Sequence, residues 1–193
     1  MASQPKHLLT AQQYLELEKD AQYKSEFFYG EMFSMSGGSI NHASIGGNLY
    51  YTLRRLLRNS KCRPYNSDVR IVVDPQAHYA YPDISIVCGE IQQISDAAVS
   101  VANPCVIFEV LSPAAERHDR GAKFRSYQSI QTLREYFLVS QDKALVERFE
   151  RTTDGRWAIS YHDGMDANVQ ISSVPCELAL KDVYEDIAFE AAQ

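Results

Sequence analysis

The chain has 193 residues, 45% of them hydrophobic, and a net charge of −6. That is enough for one globular domain spanning 1–193 with a full core, and no apolar run is long enough to span a bilayer. Cys62, Cys88, Cys105 and Cys176 stand singly, with no Cys-x-x-Cys pair, which argues against a zinc ribbon and points to reduced thiols in the cytoplasm. The opening Met1-Ala2-Ser3-Gln4-Pro5-Lys6-His7 lacks the apolar core of a signal peptide. The acidity is uneven. Residues 1–140 hold 14 basic and 14 acidic residues, whereas 141–193 hold 5 and 11, so net charge does not exclude a nucleic-acid partner.

In chain order, Thr10 can cap a short helix over Ala11–Glu18. Phe27 to Met35 suggests a hairpin with Gly30-Glu31 at or near its turn, and Ser36-Gly37-Gly38-Ser39 reads as a loop. Asn41 can cap a long helix to about Arg58, because Ile45, Leu49, Leu53, Leu56 and Leu57 recur at helical spacing. Gly46-Gly47 would permit close packing of that helix on a sheet. Arg63 to Asp74 reads as extended, bending at Asn66-Ser67-Asp68. A strand opens at Asp83, and a polar loop follows from Gln92 to Asn103. Val106 to Leu111, bounded by Pro104 and Pro113, reads as a buried strand. A helix from about Ala114 to Ile130 comes next, then a strand at Tyr136–Val139. Ala144–Phe149 and Trp157–Tyr161 look like a hairpin turning at Asp154-Gly155. The tail holds a strand near Val169–Ser172 and a helical turn at Leu180–Tyr184. This order predicts an α/β (mixed α+β) fold with one mixed sheet flanked by helices.

Two carboxylates stand out. Glu109 lies inside an apolar run, where a charge is costly unless it is paired. Asp83 opens another apolar strand directly after Pro82. Alternation puts Asp83, Ser85 and Val87 on one face, and Ile107, Glu109 and Leu111 on one face. If the strands are neighbours, the two carboxylates converge on one divalent cation, and Mg²⁺ takes only one or two carboxylates. An Asp beside a turn can equally serve as a cap or pair with an arginine. Lys123 would polarise the attacking water and stabilise charge on a phosphate. The competing reading is a surface ion pair with Asp119 at i,i+4. The site being near the surface, Lys123→Ala would leave folding intact. Tyr127 reads as helix packing, and Ser112 as a cap. Basic residues cluster at Arg54, Arg55, Arg58, Lys61 and Arg63, and again at Arg117, His118, Arg120, Lys123 and Arg125, interleaved with Glu116 and Asp119. Arg54, Arg58 and Arg120 are candidates to grip phosphates; a solvated helix face is the alternative.

Pro82-Asp83, Glu109-Val110-Leu111-Ser112-Pro113, Asp119-x-x-x-Lys123-x-x-x-Tyr127 and Glu135-Tyr136 occur in that order. This set resembles the Uma-type restriction endonucleases of the PD-(D/E)XK nuclease superfamily, from about Thr10 to Tyr184. Glu26, Gly30-Glu31 and Ser39-Ile40-Asn41-His42 fit the same pattern. The resemblance implies a restriction-endonuclease-like fold, a central mixed sheet flanked by helices with extra hairpins. It implies that Asp83 and Glu109 bind Mg²⁺, with Mn²⁺ as a substitute. The lysine of the general pattern, two residues after the glutamate, is Leu111 here, so the resemblance makes Lys123 its replacement. Glu26 would be a further acidic group at the site, and His42 would contact substrate or water, or else serve only as a first-turn helix residue.

The leading expectation is a Mg²⁺-dependent endonuclease hydrolysing DNA, working as a homodimer if it cuts both strands. A nuclease-fold binding or structural protein without catalysis and an RNA-directed nuclease are the alternatives. No Gly-x-Ser-x-Gly and no phosphate loop occurs, so a serine hydrolase and a nucleoside triphosphatase are poorly supported.

Overall fold

The computed structural model describes residues 8–35, 37–94, 100–113 and 115–189. The expectations for Ser36, for the middle of the 92–103 loop, for Ala114 and for the first seven residues fall wholly or partly outside that range. Helix α1 (Ala11–Lys19) starts at Thr10, whose hydroxyl accepts from the Gln13 backbone while the Gln13 side chain returns the bond, a capping box. The hairpin β1 (Ser25–Phe28) and β2 (Glu31–Ser34) turns through Tyr29 and Gly30, both at positive φ (48° and 91°). Positive φ at both central residues matches the twist of an antiparallel hairpin, and only glycine adopts it without strain.

Helix α2 (Ile40–Leu56) begins two residues earlier than Asn41 capping would place it, because Ser39 is the N-cap and its Oγ accepts from the His42 backbone. Asn41 instead donates to the Ala188 carbonyl. Ile45, Leu49 and Leu53 form its buried stripe. Gly46 and Gly47 are not sites of close packing: a Cβ added at either would meet nothing within 4 Å.

The strands that follow are β3 (Cys62–Asn66), β4 (Arg70–Asp74), β5 (His78–Ala80), β6 (Ile84–Cys88), β7 (Ser100–Val101) and β8 (Val106–Val110). The expected helix after β8 is three short segments: α3 (Glu116–His118), a π-helical turn over Asp119–Lys123, and α4 (Phe124–Tyr127). It ends at Tyr127 rather than Ile130. Then come β9 (Glu135–Val139), β10 (Leu145–Arg151), β11 (Trp157–Asp163), β12 (Asn168–Ile171), β13 (Cys176–Ala179) and α5 (Leu180–Val183).

These strands do not form a single sheet. The central mixed sheet has six strands in the order β11-β10-β9-β8-β6-β3, with β8 and β9 its parallel pair. A second sheet of five runs β2-β1-β5-β4-β7, and β12-β13 is a separate hairpin. The extended run from Arg63 to Asp74 is therefore split between sheets at the Ser67-Asp68 turn. Pattern cannot reveal such a switch, because both halves read as ordinary strand.

The central sheet is buried on both faces along β6, β8 and β9, whereas its edge strand β11 is largely exposed. On one face Ile84, Ile86, Val106, Phe108 and Val110 meet the stripe of α2, the β12–β13 hairpin and α5. On the other face Val87, Ile107 and Leu111 pack with Tyr127, Leu133, Tyr136 and Leu138. Each fully buried aliphatic side chain there contributes about 1.5–3 kcal/mol of transfer free energy. Cys62 and Cys88 face each other across β3 and β6 and are joined by a disulfide. The expectation of four reduced thiols is thereby corrected: register, which spacing does not show, brings two of them together. Among the described residues, no helix is long and apolar enough to cross a membrane.

Candidate active site

The register that pairs Ile84 with Phe108 sets Asp83 directly opposite Glu109. Cross-strand partners share a face, so the two carboxylates lie side by side at one end of the central sheet. They are interlocked. Asp83 Oδ2 accepts from the Val110 backbone N–H at 2.7 Å, and Glu109 Oε2 lies 3.4 Å from the Asp83 backbone N.

Glu109 is 4% exposed and Lys123 6%. Lys123 Nζ lies 2.9 Å from Glu109 Oε1, 3.0 Å from Glu26 Oε1 and 3.7 Å from Asp119 Oδ1. It is neither a surface group nor merely the partner of Asp119. Glu26 is delivered by β1 of the second sheet, and its Oε1 also accepts from the Tyr81 backbone N at 3.0 Å. The chain crosses from one sheet to the other at Tyr81–Asp83, which is how carboxylates from both sheets reach one ammonium. The Tyr127 hydroxyl donates to Glu109 Oε1 at 2.9 Å, so this fully buried ring both packs and orients the carboxylate.

His42, in the first turn of α2, places Nε2 3.5 Å from Asp83 Oδ2. Its ring fits beside Gly38 because that residue has no side chain: a Cβ there would sit 2.6 Å from His42 Nδ1. The bond to Asp83 outweighs burial and raises the imidazole above its ordinary pKa.

These residues line an open cleft of about 560 Å³, walled also by Phe33, Met35, Ser112 and Pro113. Glu26, Asp83, Glu109 and Asp119 line it, and Lys123 is the one lysine or arginine among the described lining residues. Four acids around one ammonium set the proton chemistry. Burial, reinforced by Asp119, Asp83 and Glu26, pushes the Glu109 carboxyl well above the usual range against the pull of Lys123. Burial likewise raises Asp119. Burial would raise Glu26 too, but Lys123 and the Tyr81 amide together hold it below the ordinary value. Burial would lower Lys123, yet Glu109, Glu26 and Asp119 keep it charged, well above the usual lysine value.

The chain matches the Uma2 family, described as "Putative restriction endonuclease", over residues 11–181. It is a member of the Uma2 family. Two proteins of Synechocystis sp., both described as uncharacterised, are similar to this Uma2 chain. One (slr1290) is 32% identical over 187 residues, 97% of each chain. The other (sll1609) is 33% identical over 165 residues, 86% of this chain and 93% of its own. The fold resembles the crystal structure of a putative nuclease of DUF820 from Anabaena variabilis, with a TM-score of 0.73 at 17% identity, covering 91% of this chain and 97% of that one. The restriction-endonuclease-like fold, a central mixed sheet flanked by helices, is therefore present.

Of the residues singled out in the sequence, Asp83, Glu109, Lys123, Glu26 and His42 meet in the Uma2 cleft. Arg54 and Arg58 are exposed toward the far end of α2 and are not among its lining residues. Arg120 is turned away, held by Glu116 at 2.7 Å and Glu147 at 2.5 Å. Asp119, the Tyr127 hydroxyl and the Tyr81 backbone were not anticipated as parts of the site. The four-residue steps Asp119, Lys123, Tyr127 were the available signal, though a packing helix shows the same steps.

Proposed function

We propose that this Uma2 protein is a divalent-cation-dependent endonuclease that hydrolyses phosphodiester bonds in DNA. One observation carries the reading: a cleft with four carboxylates and a single ammonium would repel a polyanion unless a cation enters with it. Among the described residues no group of three or more His, Cys, Asp or Glu is arranged to hold a metal by protein ligands alone. That suits Mg²⁺, which keeps several waters and takes one or two carboxylates, and does not suit a closed zinc centre. The donors would be Asp83 and Glu109, hard oxygens fixed by backbone and tyrosine contacts, and Mn²⁺ would fit the same pair. The chemistry supplied by the ion when bound is Lewis-acid stabilisation of charge building on the phosphate.

The chain's own residues do the rest. Tyr127 and the Asp83 amide fix the two Glu109 oxygens. Lys123 offsets the negative charge of Glu26 and Glu109, keeping both in place without deprotonating. His42, whose protonated form the contact with Asp83 favours, stands on the cleft wall where it can donate to a phosphate oxygen. Cutting both strands with one cleft per chain calls for two chains, so a homodimer belongs to this reading, and light scattering measures it.

The test is cleavage of a mixed pool of DNA and RNA with Mg²⁺, with Mn²⁺ and with chelator. Metal-dependent cuts within DNA are expected. Cuts confined to RNA would reassign the substrate, and binding without cleavage by either metal would leave a nuclease-fold binding protein.

A further inference from the structure

We propose that Asp119 is a catalytic residue of this site: with Lys123, it holds the water that attacks the scissile phosphorus. The inference rests on the nuclease reading above and deepens it. Asp119 is 3% exposed and lines the cleft, and its Oδ1 has no hydrogen-bond partner among the described residues. A buried acceptor left bare bears the full desolvation penalty, so native structures usually satisfy it with protein or ordered water. Lys123 Nζ has three N–H donors. Two are spent on Glu109 and Glu26, and the nearest remaining acceptor is Asp119 Oδ1 at 3.7 Å, too far for a direct bond.

Two atoms so spaced can both reach one water at about 2.8 Å. That water would accept from the ammonium and donate to the carboxylate. Of the possible occupants only a water satisfies both sides. In the gap between them a phosphate oxygen would sit directly against the Asp119 carboxylate, and a cation directly against the Lys123 ammonium. The backbone holds the pair in step. Asp119–Lys123 is a π-helical turn, and residues four apart on a helix lie on nearly one face. The Tyr136 hydroxyl pins the turn to the central sheet by donating to the Asp119 carbonyl at 3.2 Å.

In the reaction, the water oxygen forms a bond to phosphorus and passes one proton to the Asp119 carboxylate. The bond from phosphorus to the leaving sugar oxygen breaks with its electron pair, and that oxygen takes a proton from solvent. Lys123 keeps its proton throughout and orients the water.

Two readouts test this. In a crystal at resolution sufficient for waters, a water is expected within about 3.2 Å of both Asp119 Oδ1 and Lys123 Nζ, and it should vanish in Asp119→Ala. In kinetics at saturating metal, Asp119→Ala should lower kcat by about 100-fold or more with KM little changed. Asp119→Asn, nearly isosteric and unable to take the proton, covers the case of an alanine variant that does not fold, and should show the same loss at an unchanged Tm. An unoccupied position in the wild-type crystal overturns the proposal. So does a folded Asp119→Asn with wild-type kcat, or a loss confined to KM. Wild-type protein that cleaves no nucleic acid overturns the nuclease reading, and this inference with it; active variants beside an active wild type overturn this inference alone.

Discussion

Glu109 and Glu135 are two buried glutamates on neighbouring parallel strands, at opposite ends of the central sheet. Glu135 opens β9 and pairs in register with Val106, while Glu109 lies near the end of β8 beside Leu138. Glu135 is 1% exposed and fully served: Arg148 Nε at 2.8 Å, the Ser172 and Ser173 backbone amides at 3.1 and 2.8 Å, and the Ser173 hydroxyl all donate to it. Arg148 also has Glu150 as a second partner at 2.8 Å. Glu109 shares one ammonium with two further carboxylates and faces a cleft. A saturated carboxylate ties the chain together, whereas an excess of carboxylates over cations stores unfavourable charge that an incoming cation relieves. Such an excess is costly for stability alone, and that imbalance marks the Glu109 end as the working one.

The comparison breaks if substitutions at the two ends behave alike. The largest contrast is expected in turnover. Glu109→Gln and Asp83→Asn should each lower cleavage by about 10²–10³-fold, in the range for loss of preorganised charge stabilisation. Glu135→Gln should leave the rate per folded molecule unchanged. Single-turnover cleavage at saturating metal measures this.

Next is Lys123→Ala. The ammonium is buried among carboxylates, so its removal should cost about 3–5 kcal/mol of stability besides turnover. This reverses the expectation that folding would be untouched, and denaturant melts check it. Glu135→Gln should cost less, about 1.5–3 kcal/mol, the worth of a charge-assisted hydrogen bond.

The pH dependence sharpens the contrast further. The folded state raises Glu109 and Asp119, so it binds more protons than the unfolded chain above about pH 4. Stability of the metal-free protein should therefore fall as pH rises from there through the raised values. His42, also raised, adds a loss as pH rises through and beyond its ordinary range. Glu26, lowered, acts oppositely, its contribution being lost as pH falls below the ordinary carboxylate range. Saturating Mg²⁺ should flatten the decline, because metal binding favours the deprotonated carboxylates. Melting curves across pH, with and without Mg²⁺, record both. Smallest of all, Arg54→Ala and Arg58→Ala, exposed and away from the cleft, should shift stability by less than about 0.5 kcal/mol and leave kcat unchanged.

Much of this was legible in the residues. The apolar runs around Asp83 and Glu109 identified buried strands, and alternation put the two carboxylates on one face if the strands paired. The Thr10 cap, the α2 stripe and the Asp154-Gly155 hairpin are local features, and local features read well. What pattern did not convey was long-range pairing. The passage between sheets at Ser67–Asp68, the meeting of Cys62 with Cys88, and the arrival of Glu26 from a second sheet all depend on register between distant segments. Lys123 lies in one cleft with Asp83 and Glu109 but is buried rather than near the surface, and the π-helical turn that carries it leaves no mark in periodicity.

The most direct test of the central claim is a calorimetric titration of Mn²⁺ or Mg²⁺ into wild type, Asp83→Asn, Glu109→Gln and Glu135→Gln. The account expects saturable binding with proton release in wild type and Glu135→Gln, and its loss in Asp83→Asn and Glu109→Gln. Binding that survives unchanged in both cleft variants, or no binding in wild type, would contradict it.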